Sequence, residues 1–270
     1  MSACAFDIRA ASYSYERVAA LRDVSLQIRQ GERIALVGAN GSGKSTLLRL
    51  LAALSFSEEG QVLFFGQALT AKAMEQAEFF YGFRRRVGIV FQNPDVQLFM
   101  ASVFDEVAFG PLQLGWSKEK VRARVAETLS AMGIESLAER PPYRLSSGEK
   151  KRVALASVLV TEPEVVLLDE PAATLDPASQ NAIVELLGSW AGASRTVVTA
   201  THDLDLLESI ADRCIVLHKG SVAAEGVPYS VLHNMQLLEQ VGLLRPQRHH
   251  HAAPAKPHGH LHLDDLAGGG

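Results

Sequence analysis

Gly38-Ala39-Asn40-Gly41-Ser42-Gly43-Lys44-Ser45 lies between the apolar run Arg33–Val37 and the leucine-rich run Thr46–Ala53. The first run reads as a buried strand and the second as a helix. Glycines at such a junction let successive backbone N–H groups point into one concavity, and the helix start adds its own unpaired donors. That arrangement suits the phosphates of a nucleotide. Lys44 would reach the β- and γ-phosphates, and the Ser45 hydroxyl would ligate Mg²⁺. Residues 38–45, with Thr46, are therefore the candidate nucleotide-binding loop. The alternative is a glycine-rich turn that binds nothing, and the rest of the chain bears on it.

The 270 residues are 47% hydrophobic and 21% charged, the balance of a globular protein rather than a disordered one. A net charge of −4 argues against a bulk electrostatic grip on nucleic acid. Arg84-Arg85-Arg86 reads as a solvated helix end. Cys4 and Cys214 lack metal-ligand or redox spacing, which fits a reducing cytoplasm. Residues 1–9 carry no basic-then-apolar leader pattern. The longest apolar run, Val153–Val160 broken only by Ser157, falls short of the ~18 residues a membrane helix needs. Any membrane role is expected to come through a partner.

Short strands are expected at Phe6–Ala10, Val24–Ile28, Arg33–Val37, Gln61–Phe65 and Val87–Phe91, with a helix over Thr70–Phe83. From 93 to 160 the texture turns helical. Strand–helix alternation then resumes with Val165–Leu168, Ser179–Trp190, Thr196–Ala200, Leu204–Ala211 and Cys214–His218. Such alternation implies an α/β class with a mainly parallel sheet and helices on its faces. The domain is expected over 5–245, interrupted by the helical insert, with a tail over 246–270.

Val165-Val166-Leu167-Leu168-Asp169-Glu170 is an apolar strand that delivers two carboxylates at its C-terminal end, where open α/β sheets bind ligands. Asp169 would hold Mg²⁺, and Glu170 would polarise the water that attacks the γ-phosphate. Ser146, at the start of a helix over Gly148–Val160, makes a second anion site. It lies about 100 residues beyond Lys44 in a separate lobe, so a phosphate loop facing it across a C₂ dimer is the simplest arrangement.

With Leu145-Ser146-Ser147-Gly148-Glu149 between the two motifs, the chain resembles the ATP-binding-cassette ATPases, whose signature motif is this segment. The resemblance covers residues 5 to about 245. It implies a mainly parallel P-loop sheet core, an antiparallel β-subdomain and a helical subdomain insert. It also implies that Ser146, Ser147, Gly148 and Glu149 contact ATP, and that Gln92 is the lid glutamine sensing Mg²⁺ and the attacking water. Ala173-Thr174-Leu175-Asp176 matches the D-loop, and His202 matches the switch histidine. Tyr15 matches the aromatic that stacks on adenine; Tyr13, two residues away, is the competing candidate. Ser147 stands where the family usually has glycine, and serine avoids strongly positive φ, so its tolerance depends on the backbone there.

The segment Gly88–Phe99, with Val103 and Val107-Ala108-Phe109-Gly110-Pro111, further resembles the ATPases of energy-coupling-factor importers. In that family two ATPases drive a transmembrane coupling subunit that carries a small substrate-binding membrane subunit, at the cytoplasmic face of the membrane. Leu98, Phe99, Val103, Phe104 and Phe109 form either a socket for a partner's helix or packing of the helical lobe. The tail holds His249, His250, His251, His258, His260 and His262, six of the nine histidines. Imidazole suits Ni²⁺ and Co²⁺, with Ni²⁺ the tighter. Nickel is the first expected cargo, cobalt the second, and a vitamin the alternative. A soluble non-transport cassette ATPase and a metal-storage protein are the competing classes.

Overall fold

The computed structural model describes residues 3–173, 175–192 and 194–243. The chain opens with a long hairpin of β1 (Cys4–Tyr15) and β2 (Val18–Arg29), and then enters β3 (Arg33–Val37) and α1 (Lys44–Leu51). Next come β4 (Glu59–Phe64), β5 (Gln67–Ala68), α2 (Ala71–Met74), α3 (Ala77–Arg86) and β6 (Val87–Val90). The helical lobe follows, with α4 (Val103–Gln113), α5 (Lys118–Ala131) and α6 (Ser147–Leu159). Alternation returns in β7 (Val165–Asp169), α7 (Pro177–Gly188), β8 (Thr196–Thr201), α8 (Leu207–Ile210), β9 (Arg213–His218) and β10 (Ser221–Gly226). Two short helices, α9 (Pro228–Leu232) and α10 (Met235–Gln240), close the described part.

The central sheet runs β10-β9-β3-β8-β7-β6, and all its pairings are parallel except that of the edge strand β10. A second, antiparallel sheet runs β2-β1-β4-β5. This is the expected α/β class, with the β-subdomain and helical insert in place.

Every residue of β3 is buried, as a central parallel strand requires. Alternation along it divides the core. Ile34 and Leu36 join α1, Leu167, Ile215 and the inner face of the antiparallel sheet. Ala35 and Val37 join Leu155 of α6, Ile183 and Leu187 of α7 and Leu207 of α8. A third cluster, with Val107, Val125, Leu129 and Val153, holds the helical lobe together.

Three expectations are corrected. The helix over Thr70–Phe83 is two helices, the first capped by Thr70, whose hydroxyl accepts from Ala73 N. The arginine cluster is not simply solvated. Arg84 donates to Ala52 O at 2.8 Å and sits over the Phe80 and Phe83 rings, and Arg86 pairs with Glu164 at 2.8 Å. The helix over Ser179–Trp190 begins earlier, at Pro177, with the Asp176 carboxylate accepting from Ser179 N at 3.0 Å. The histidines of the tail, and Thr174 of the D-loop, lie outside the described residues.

Because Leu36 is fully buried at the centre of the sheet, Leu36→Ala should cost about 2–5 kcal/mol, the usual range for emptying such a site. Thermal unfolding would show it as a fall in Tm of about 2–4 °C per kcal/mol; an unchanged Tm would contradict this packing.

Candidate ATP site

The phosphate loop leaves β3 at Gly38, and glycine there has a steric cause. A Cβ would run into Leu217 O and Ser42 Oγ. Gly43 adopts φ 108°, in the left-handed region, as it hands the chain to α1. Lys44 is buried in the first turn, and its Nζ donates to Gly38 O at 2.7 Å and Ala39 O at 3.3 Å. The ammonium therefore lies over the loop. Burial pushes its pKa down, while Glu170 and Asp169 pull it up.

Strands β7 and β8 bring the other groups to the same edge. Asp169 ends β7 opposite Ala200 of β8, and Glu170 N donates to Ala200 O at 2.9 Å. Glu170 then takes φ 46°, a left-handed conformation uncommon for a residue with a side chain. That turn puts its carboxylate, buried at 6% exposure, 3.9 Å from Lys44 Nζ and 2.7 Å from His202 Nδ1. Since a carboxylate only accepts, Nδ1 carries the hydrogen, and Nε2 is the ring nitrogen not used in this bond. Gln92, His202 and Asp203 line the same cleft as Glu170. Asp203 is itself held by Gln180, whose Nε2 donates to it at 3.3 Å.

The residues present fit a magnesium ion. Among the described residues Asp169 Oδ1 is buried with no hydrogen-bond partner, and the Ser45 hydroxyl lies close enough to the same carboxylate to oppose the rise in its pKa. Burial raises the Asp169 pKa, with the Glu170 charge adding to it and Ser45 and the lysines opposing. An orphaned carboxylate oxygen beside a hydroxyl is a hard donor set of the kind Mg²⁺ takes. Ser45, Asp169 and Gln92 are the residues that would hold it.

A second cleft joins Tyr15 to Gly41, Gly43, Lys44, Ser45 and Thr46. Tyr15 is 44% exposed, whereas Tyr13 packs against the first core and meets the Tyr15 ring edge-on at 5.0 Å. Tyr13 is thus the buttress, and Tyr15 is the ring available to an adenine beside the loop.

The signature segment stands at the start of α6. Ser146 is the N-cap, and a capping box joins it to Glu149: Glu149 N donates to Ser146 Oγ at 3.3 Å, and Ser146 N donates to Glu149 Oε2 at 2.7 Å. Those bonds hold the Glu149 pKa below the usual carboxylate range. The capping box engages the Ser146 and Glu149 N–H groups only, so the Ser146 hydroxyl hydrogen and the N–H groups of Ser147 and Gly148 are the donors this helix start offers an anion. Ser147 is the first helical residue, with no positive φ, so serine is tolerated in place of glycine. Gly148 does need its missing side chain, since a Cβ would strike Ser179 Oγ beside the cap of α7.

Of the proposed socket residues, Val103 is fully buried, and Leu98 and Phe104 pack against the helical-lobe core. Phe99 is 65% exposed, edge-on to Phe109 at 5.1 Å, and Val96 is 69% exposed. The apolar surface is thus narrower than the sequence suggests. Lys151, part of the segment Glu149–Ala154 that also resembles the energy-coupling-factor ATPases but given no role from the sequence, is buried beneath the Gln92 segment. Its spacing from Gly148 and Leu155 places it on the buried face of α6, which is the signal that would have found it.

The ABC transporter family model matches residues 21–173. The nickel import ATP-binding protein NikO of Rhodobacter capsulatus is 53% identical, over 89% of this chain and 96% of that protein. The structure of cbiO1 from Clostridium perfringens, part of the ABC transporter complex cbiONQ, is similar at TM-score 0.75 and 36% identity, covering 89% of this chain and 95% of that one. A dimeric ATP-binding cassette in a post-hydrolysis state, bound to ADP and Pi, is similar at TM-score 0.74 and 28% identity, covering 83% and 98%.

Lys44→Ala removes charge-assisted bonds worth about 1.5–3 kcal/mol, so the Kd for ATP measured by calorimetry should rise roughly 10- to 150-fold. An unchanged Kd would remove the phosphate-loop assignment. With loop, acidic strand end and signature segment in one fold, the chain belongs to the ABC transporter family, as an ATP-hydrolysing subunit of the energy-coupling-factor kind.

Proposed function

We propose that two copies of this chain bind two ATP molecules head to tail and use their hydrolysis to drive import of a divalent metal ion, Ni²⁺ first and Co²⁺ second. The observation that carries the hydrolytic part is the Glu170 carboxylate, buried and fixed between Lys44 and His202. From there it polarises a water for attack on the γ-phosphate while Lys44 draws charge off the leaving phosphates. His202 orients Glu170 through Nδ1 and leaves Nε2 for the γ-phosphate. Ser45, Asp169 and Gln92 would hold magnesium, which would supply neutralisation of phosphate charge. Gln92 sits on the cleft wall to sense the ion and the water.

The second phosphate contact comes from the Ser146–Glu149 segment of the other copy, in a two-fold arrangement. The dimeric form of the similar cassette supports that geometry. No helix among the described residues is long and apolar enough to cross a membrane. In this reading the chain works at the cytoplasmic face beside a transmembrane coupling subunit and a substrate-binding membrane subunit, to which the exposed Val96 and Phe99 offer an apolar contact. Nucleic acid is not a partner, in keeping with the net charge of −4.

Likeness to a nickel import protein favours metal as cargo. The histidines of residues 249–262 would buffer the ion near the transporter. A vitamin remains the alternative cargo, because this subunit need not touch the substrate. Cells lacking this protein, complemented with wild type or Glu170→Gln, should recover uptake of radioactive nickel, and less of cobalt, only with the wild type. Uptake unaffected by loss of the protein would discard the metal cargo and bring the vitamin forward.

A further inference from the structure

Lys151 is the most deeply buried charged side chain among the described residues, at 1% exposure. It projects from α6 one turn beyond Gly148, and its Nζ donates to Gln92 O at 2.7 Å and Phe91 O at 3.2 Å. Both carbonyls belong to the segment that carries the lid glutamine. Two further ties join that segment to the same helix. Gln97 Oε1 accepts from Phe91 N at 3.2 Å, while its Nε2 donates to Ala154 O at 2.9 Å and Ser157 Oγ at 3.1 Å. At the surface, Lys150 pairs with Asp95 at 2.7 Å.

A buried ammonium persists only where its partners offset the loss of water. Burial pushes Lys151 down to about 8, and the charges of Asp169 and Glu170 pull it back up. It therefore stands within electrostatic reach of the two acids that end β7. A lysine suits this place because one flexible stem carries three donors, enough to hold two adjacent carbonyls.

We propose that Lys151 is a positioning residue for Gln92, fixing the backbone of the lid segment to α6 so that the Gln92 side chain is held at the cleft it lines. The proposal rests on the role given to Gln92 above, and its test separates the two.

ATP hydrolysis by the full chain is measured for wild type, Lys151→Met, Gln92→Ala and the double variant. Lys151→Met should lower kcat by about tenfold or more with little change in KM, because a misplaced group costs turnover rather than binding. In the Gln92→Ala background the same substitution should add nothing, the signature of two residues acting through one contact. An undiminished kcat for Lys151→Met, or a loss that simply multiplies with that of Gln92→Ala, would overturn the proposal. A wild-type rate for Gln92→Ala would instead remove the lid assignment and the proposal with it. Should Lys151→Met fail to fold by thermal unfolding, Gln97→Leu enters the same cycle, with the same non-additive result expected and the same additive result overturning.

Discussion

The site depends on the register of three parallel strands. Val37 of β3 pairs with Thr201 of β8, and Asp169 of β7 pairs with Ala200. The strands thus end within one residue of each other, and the next residues of each, Gly38, Glu170 and His202, emerge along one edge. Neighbouring strands are about 4.8 Å apart, so side chains leaving adjacent ends meet without long loops. A slip of one residue would turn Asp169 and the apolar residues before it to the opposite face. The two cores hold the register, because β3, β7 and β8 are buried on both sides and neither face tolerates the exchange.

On that edge Glu170 gives up backbone comfort for placement. A left-handed conformation costs a residue with a side chain on the order of 1–3 kcal/mol. Its N–H bond to Ala200 and its carboxylate contacts with His202 and Lys44 offset that cost. Lys44 in turn rests on the carbonyls of Gly38 and Ala39, which phosphate oxygens can replace with little rearrangement. The charges are held in place by contacts within the fold, and positioned charge is how phosphoryl transfer gains most from a protein.

Much of this was legible in the sequence because it is local. Strand, glycine turn and helix follow one another in Arg33–Ala53, and an apolar strand running straight into Asp169 and Glu170 announces its own sheet edge. The helical lobe was legible in the texture of residues 93–160, whereas the antiparallel sheet came with the family resemblance. What was hidden depends on contacts far apart in the chain. Arg84 reaches back to the end of α1, and Tyr13 and Tyr15 part ways because one meets the core. Lys150 and Lys151 read alike as neighbours, yet one pairs with Asp95 at the surface and the other lies under Gln92. The φ of Glu170 leaves no mark in residue types at all.

The account stands most directly on Glu170 as the group that activates water. Binding of ATP to Glu170→Gln, measured alongside steady-state release of phosphate, isolates that role, since glutamine keeps the shape and loses the charge. The account predicts nucleotide affinity close to wild type with turnover abolished, and a dimer that persists with ATP by light scattering. Turnover at the wild-type rate would contradict it.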